Sequence, residues 1–139
     1  MKINPTQARF DDAGDRPQAW TGLHGSSAAL ALCNAAGNSD RLVMVLTRSS
    51  HQARVLRRDL ELFNDTGLPV LHFPDRETLP YDPFSAHPDI VSERLASLAE
   101  LAGLKRGILI LPATSLMQRL APRAHVLGKQ FSLRPGQIL

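Results

Sequence analysis

The chain has 139 residues, of which 43% are hydrophobic, 21% charged and 5% aromatic. This length corresponds to about one domain with one core, and the composition disfavours disordered and membrane proteins. No run approaches the ~20 apolar residues of a membrane span, and the first residues lack a signal-peptide core. We therefore expect a cytoplasmic protein with no membrane contact. The net charge of +3 comes mainly from 13 scattered arginines, a weak signal for nucleic-acid binding.

Composition divides the chain into three parts: an N-terminal arm (1–17), an α/β domain (18–128), and the start of a further strand or linker (129–139), where the chain looks cut from something longer. In the middle part, apolar runs alternate with amphipathic segments, which predicts a three-layer α/β sandwich with a mainly parallel sheet. The predicted strands are 19–23, 42–46, 68–73 and 107–111, with another at 130–133. The predicted helices are 27–36, 49–63, 89–102 and 114–120.

Two of the predicted helices carry clear sequence signals. Ser49 and Gln52 form a capping box at the start of the second helix. Asp89 is the expected N-cap of the third, whose apolar stripe is Val91, Leu95, Leu98 and Ala102.

The stretch 22–29 follows the first predicted strand and opens the first predicted helix. It has the frame of a phosphate loop, G-x-x-x-x-G-K-[ST], in which backbone N–H groups cradle phosphates, Lys reaches the β/γ-phosphates and a hydroxyl binds Mg²⁺. Gly22 and Gly25 are present, and Ser26 or Ser27 can cap the helix. However, Ser27, Ala28 and Ala29 replace the second Gly, the Lys and the Ser/Thr. We therefore predict that the loop is degenerate, with no bound cofactor and no catalytic residues.

The loop shares the predicted carboxyl-end rim of the sheet with the turns at 47–49 and 112–114. Arg48, Arg54, Arg57 and Arg58 could contact phosphate or DNA, although mixed charges on a helix usually mark a solvated face. The acids Asp75, Glu77 and Asp82, with His87, show no pattern that brings them together, so we assign them to turns and ion pairs. Neither the five histidines nor Cys33 has metal-ligand spacing, and Cys33 reads as a packed, inert thiol.

Two longer runs are more specific. The segments 78–95 (TLPYDPFSAHPDIVSERL) and 106–122 (RGILILPATSLMQRLAP) resemble the N-terminal region of the bacterial transcription-repair coupling factors (Mfd), and the resemblance covers about residues 20–139. That family comprises ATP-dependent DNA translocases that displace RNA polymerase stalled at a lesion and recruit nucleotide excision repair. Its N-terminal part is similar to UvrB, whose first domain has a P-loop NTPase-like fold with an intact phosphate loop.

The resemblance implies a non-catalytic scaffold portion of such a protein, with a UvrB-like fold and a degenerate Walker A loop. The resemblance also implies that ATP and Mg²⁺ bind to a helicase-like motor in other parts of the longer coupling factor, here called the parent. The surfaces that bind UvrA, RNA polymerase and DNA are expected in those other parts as well. The partners expected for this segment are the parent's remaining domains. Two alternatives are a DNA-contacting module using the arginine face, and a small phosphate-handling enzyme using His24 and Arg48.

Overall fold

A computed structural model describes residues 2–10, 17–78, 83 and 85–128. The α-helices are α1 (Ser27–Gly37), α2 (Ser50–Phe63), α3 (Pro88–Gly103) and α4 (Arg123–Gly128), and the strands are β1 (Leu42–Thr47), β2 (Val70–His72) and β3 (Gly107–Pro112). Short 3-10 helices span Pro5–Gln7 and Ala113–Met117. The predicted strand at 130–133 and the proposed linker 129–139 lie outside the described residues.

The three strands form one parallel sheet in the order β1-β3-β2, which confirms the predicted α/β class. The chain passes from β1 through α2 to β2 and returns through α3 to β3. Because right-handed crossovers in opposite directions place their helices on opposite faces, α2 and α3 lie on the two sides of the sheet.

Two hydrophobic cores lie on the two faces of the sheet, and alternating residues of β3 contribute to each of them. Ile108 and Ile110 pack with residues of α1 and α2, including Ala29, Ala53 and Leu60. Leu109 and Leu111 pack on the other face, where Leu98, Leu101 and Leu104 from α3 and the following residue cover them. The arrangement is a three-layer sandwich, with the fully buried strand β3 at its centre.

The predicted strand at 19–23 is wrong as a member of the sheet. Within the described residues this stretch makes one isolated bridge, between Lys2 and Thr21. Ala8 from the N-terminal segment is fully buried against Ala31 and Ala35 of α1, with Trp20 and Leu23 packed nearby. The stretch therefore pairs with the N-terminal residues, and the phosphate-loop frame does not follow a strand of the parallel sheet.

Helix α3 differs from its predicted cap and stripe. It begins at Pro88 because proline suits the first helical position, and His87 caps it by accepting a hydrogen bond from the Asp89 N–H at 3.3 Å. Its two buried residues are Arg94 and Ser97, while Val91 and Leu95 are 40% and 54% exposed. Leu98 of the predicted stripe does pack on the core, but the buried face is centred on Arg94 and Ser97, whose side chains donate to the carbonyls of Pro74 and His72.

The segment after β3 also departs from the prediction. The expected helix at 114–120 is a 3-10 helix that ends at Met117, and α4 follows where no helix was predicted. At the other end of β3, Gly107 has φ +148°, and a Cβ there would lie 2.7 Å from the Pro69 carbonyl oxygen. This close approach lets Pro69 accept a hydrogen bond from the Ile108 N–H at 2.8 Å.

Candidate functional site

The phosphate-loop frame is folded on itself. Gly22 and Gly25 adopt positive φ values of +80° and +55°, which allow the turn into α1. The Ser27 hydroxyl lies 2.7 Å from both the His24 N–H and the His24 carbonyl oxygen, and the Ser27 N–H donates to the same carbonyl at 3.2 Å. Ser26 is the N-cap residue but makes no side-chain capping bond. The N–H groups of His24 and Ser27, two of the backbone donors in this frame, are thus already used within the loop.

An open cleft of about 670 Å³ lies between this loop and the carboxyl end of β1. Gly25, Ala28 and Ala29 line one side, and the turn with Arg48 lines the other. Thr47 Oγ1 lies 3.4 Å from the Leu111 carbonyl oxygen, so the ends of β1 and β3 are adjacent. The structure therefore brings the loop and the first predicted turn to one rim. His24 is not among the lining residues of this cleft.

The four candidate arginines do not form one basic surface. Arg48 lines the cleft just described, whereas Arg54, Arg57 and Arg58 line a second cleft of about 320 Å³ beside the edge strand β2. Three glutamates share that second cleft: Glu61, Glu77 and Glu93. Three cations facing three anions give no net positive charge, and such a site lacks the electrostatic footprint of nucleic-acid binding.

Ion pairs line the second cleft, one within α2 and two between α2 and other segments. Arg57 lies 2.8 Å from Glu61 and 3.8 Å from Glu93, and Arg54 lies 4.0 Å from Glu77. Glu93 also lies 3.1 Å from Nδ1 of His72, whose buried Nε2 has no hydrogen-bond partner among the described residues. The sequence gives no local signal for this contact, because Glu93 lies 21 residues after His72.

The acidic residues of the long loop have separate partners, as expected from the sequence. Asp75 accepts hydrogen bonds from Thr114 and Gln118, both at 2.6 Å, whereas Glu77 pairs with Arg54 and His87 with Asp89; Asp82 lies outside the described residues. Burial acts to raise the pKa of the Asp75 carboxyl. Hydrogen bonds from Thr114, the Arg76 N–H and Gln118, with the Arg94 charge, outweigh it, and the pKa lies below its usual value.

Arg94 is the buried residue that sequence reasoning missed. Its guanidinium lies 4.1 Å from the centroid of the Phe73 ring and donates to the Pro74 carbonyl oxygen. Ser97, one turn later, donates to the His72 carbonyl at 2.8 Å. These contacts attach α3 to β2 and the start of the long loop. Burial, followed by the charge of Arg76, lowers the pKa of Arg94.

Other candidate chemistry is limited in the described part of the chain. Cys33 is buried, and burial, with a smaller effect of the Asp65 charge, raises its thiol pKa, which confirms the packed thiol. No group of three His, Cys, Asp or Glu side chains in the described ranges could hold a metal ion. None of the described helices is both long and apolar enough to cross a membrane.

The parallel sheet between helices defines an α/β protein, and sequence comparisons relate it to transcription-repair-coupling factors. The transcription-repair-coupling factor of Escherichia coli is 35% identical over 117 residues, or 84% of this chain, and that of Haemophilus influenzae is 38% identical over 111 residues, or 80%. The Staphylococcus aureus protein is 27% identical over 117 residues. No family model matches the chain.

The resemblance noted from the sequence is confirmed, because most of the chain is similar to transcription-repair-coupling factors of several bacteria. The chain spans about 10% of the length of the curated relatives it matches.

Proposed function

We propose that this chain is a non-catalytic scaffold portion of a cytoplasmic transcription-repair coupling factor, with a UvrB-like nucleotide-binding fold whose Walker A loop is degenerate. The observation that carries the proposal is the closed loop at the rim of the sheet. Ser27 forms hydrogen bonds with the backbone N–H and carbonyl of His24, and Ala28 and Ala29 stand at positions beside the cleft where phosphate chemistry requires a cation and a hydroxyl.

The loss of these groups has a direct chemical consequence. Phosphoryl transfer depends on electrostatic stabilisation of the γ-phosphate by Lys and Mg²⁺, and little covalent chemistry remains for the protein. Arg48 is the one arginine or lysine among the residues that line this cleft, but it belongs to the turn after β1 and not to the loop. The segment therefore contributes structure to its parent, and ATP and Mg²⁺ act at a motor elsewhere in the coupling factor.

The binding partners of the longer coupling factor can be assigned to its parts in the same way. We infer that contacts with UvrA, stalled RNA polymerase and DNA are made by parts of the coupling factor outside this chain, while this segment contacts the parent's other domains. The balanced charges around Arg54, Arg57 and Arg58 support this assignment over the DNA-contacting alternative. The phosphate-handling enzyme is supported less well, because His24 is not among the residues that line the cleft with Arg48.

Calorimetric titration of the chain with ATP and Mg²⁺ tests the proposal. We expect no binding at micromolar concentrations, and micromolar affinity would contradict a degenerate site. The double variant Ala28→Lys/Ala29→Thr should gain little, because Ser27 still closes the loop. Adding Ser27→Gly releases the His24 backbone groups and should give the larger gain. Turnover of a phosphate ester that is lost in His24→Ala would instead establish the enzyme alternative.

A further inference from the structure

The stretch 19–23 leads into the phosphate-loop frame, but it is not a member of the parallel sheet. Its one β-bridge among the described residues joins Thr21 to Lys2, and there the Thr21 carbonyl accepts a hydrogen bond from the Ile3 N–H at 3.3 Å. A phosphate loop normally follows a strand of the sheet. Here the N-terminal segment, residues 2–8, pairs instead with the chain directly before Gly22.

Two further contacts attach the N-terminal segment to the helix that follows the loop. Ala8 is fully buried against Ala31 and Ala35 of α1, whose small side chains allow a close approach. Asn34 of α1 donates a hydrogen bond from Nδ2 to the Pro5 carbonyl oxygen at 3.1 Å. The segment therefore contacts both the entry to the loop and the helix on its far side.

Side chains at the start of the loop reinforce this attachment. A Cβ at Gly22 would lie 3.0 Å from Cγ of Lys2, so the lysine stem runs directly over the glycine. The Trp20 ring stacks on that of Phe10, with 5.6 Å between the ring centroids. These contacts involve the residues whose backbone sets the direction of the turn into α1.

We propose that the N-terminal segment fixes the position of the phosphate-loop frame, and that the segment and the loop open together while the sheet stays folded. Ala8 is the one buried residue among residues 2–10, whereas β3 is buried along its whole length. Segments with few buried contacts open at a lower free energy than core strands. The inference goes beyond the proposed function, because it concerns how the loop is held and not whether it binds a nucleotide.

Trp20 is the only tryptophan of the 139-residue chain, so its fluorescence reports directly on the N-terminal segment. Ala8→Asp places a carboxylate at a fully buried position and should detach the segment. Gln7→Asp adds the same charge at the exposed neighbouring position and is the matched control. We expect the acrylamide quenching constant of Trp20 to be about twofold or more higher in Ala8→Asp than in Gln7→Asp, because detachment removes contacts that shield the indole.

Two outcomes of the quenching experiment would contradict the proposal. Equal quenching in both variants would show that the segment does not cover Trp20. Quenching of the unsubstituted chain that rises on dilution would show that the docked segment belongs to a second copy of the chain.

Hydrogen exchange shows whether the loop follows the segment. In Ala8→Asp, the amides of His24 and Ser27, which are bonded within the loop, should exchange about tenfold or more faster than in Gln7→Asp, while the Ile108 and Ile110 amides of β3 keep their rates. Unchanged rates in the loop would mean that the segment only covers α1. Equal acceleration in β3 would mean that the segment belongs to the cooperative core, and either result would overturn the proposal.

Exchange of the unsubstituted chain in low concentrations of urea is a test that needs no variant. The amides of Ile3, His24 and Ser27 should open with one free energy and one dependence on urea, and more readily than those of β3. The proposal fails if the Ile3 amide opens alone and Ser27 exchanges only together with β3. None of these results bears on ATP binding, so calorimetry tests the degenerate site separately.

Discussion

Replacing Arg94 by Ala should be among the most destabilising single changes in α3, although arginine is normally a surface residue. The change removes a guanidinium stacked on Phe73, with a value of about 1 kcal/mol. It also removes a hydrogen bond from a charged group to the Pro74 carbonyl, with a value of about 1.5–3 kcal/mol. The expected loss in the free energy of unfolding is therefore about 2.5–4 kcal/mol.

Leu95 provides the matched control. It is the next residue, it belongs to the stripe that the sequence predicted to be buried, and it is 54% exposed. Leu95→Ala should therefore change stability by no more than about 0.5 kcal/mol. Arg94→Lys should give an intermediate loss, because Lys keeps the charge but not the planar group that stacks on Phe73.

Urea unfolding of the 139-residue chain, followed by circular dichroism, measures all three variants. Their unfolding midpoints are comparable if the slopes of free energy against urea agree. A larger loss for Leu95→Ala than for Arg94→Ala would refute the buried face observed for α3 and restore the apolar stripe predicted from the sequence.

Three further predictions concern other parts of the chain. Gly107→Ala should lower the free energy of unfolding by about 1–3 kcal/mol, because a φ of +148° is strained for alanine and the new Cβ would contact Pro69. Gly103→Ala is the control and should not destabilise the chain, because the space around Gly103 is open. Urea unfolding compares the two variants. Asp75→Asn should cost about 1 kcal/mol at pH 7. The pKa of Asp75 is lower in the folded state, so its carboxylate stabilises the fold above the unfolded pKa of about 4, and this stabilisation is lost on acidification. Between about pH 5 and pH 2, Asp75→Asn should therefore lose less stability than the unsubstituted chain. Cys33 should react with a disulfide reagent at pH 8 only after urea unfolding, because burial raises its thiol pKa; rapid reaction in the native state would show that α1 is not packed on α2.

The site shows the limits of prediction from local patterns. The loop frame and the loss of its Lys and hydroxyl positions were visible in the sequence, because they depend only on residue identity. The hydrogen bonds by which Ser27 closes the loop on His24 were not, since Ser26 and Ser27 are equivalent in a cap motif. Likewise, Arg54 and Arg57 could be placed on one face of α2, but their glutamate partners from α3 and the long loop could be identified only in the tertiary structure.

The sequence by itself determined the class of this protein. Apolar runs at strand length, alternating with helical periodicity, specify a parallel sheet between helices, and the Ser49 cap and the buried strand β3 follow from local chemistry. Tertiary packing decided which residues α3 buries, because the energy of placing Arg94 depends on Phe73 and Pro74, about 20 residues away. It also decided that residues 19–23 pair with the N-terminal segment and that β1 lies at an edge, because strand neighbours are set by contacts between distant segments.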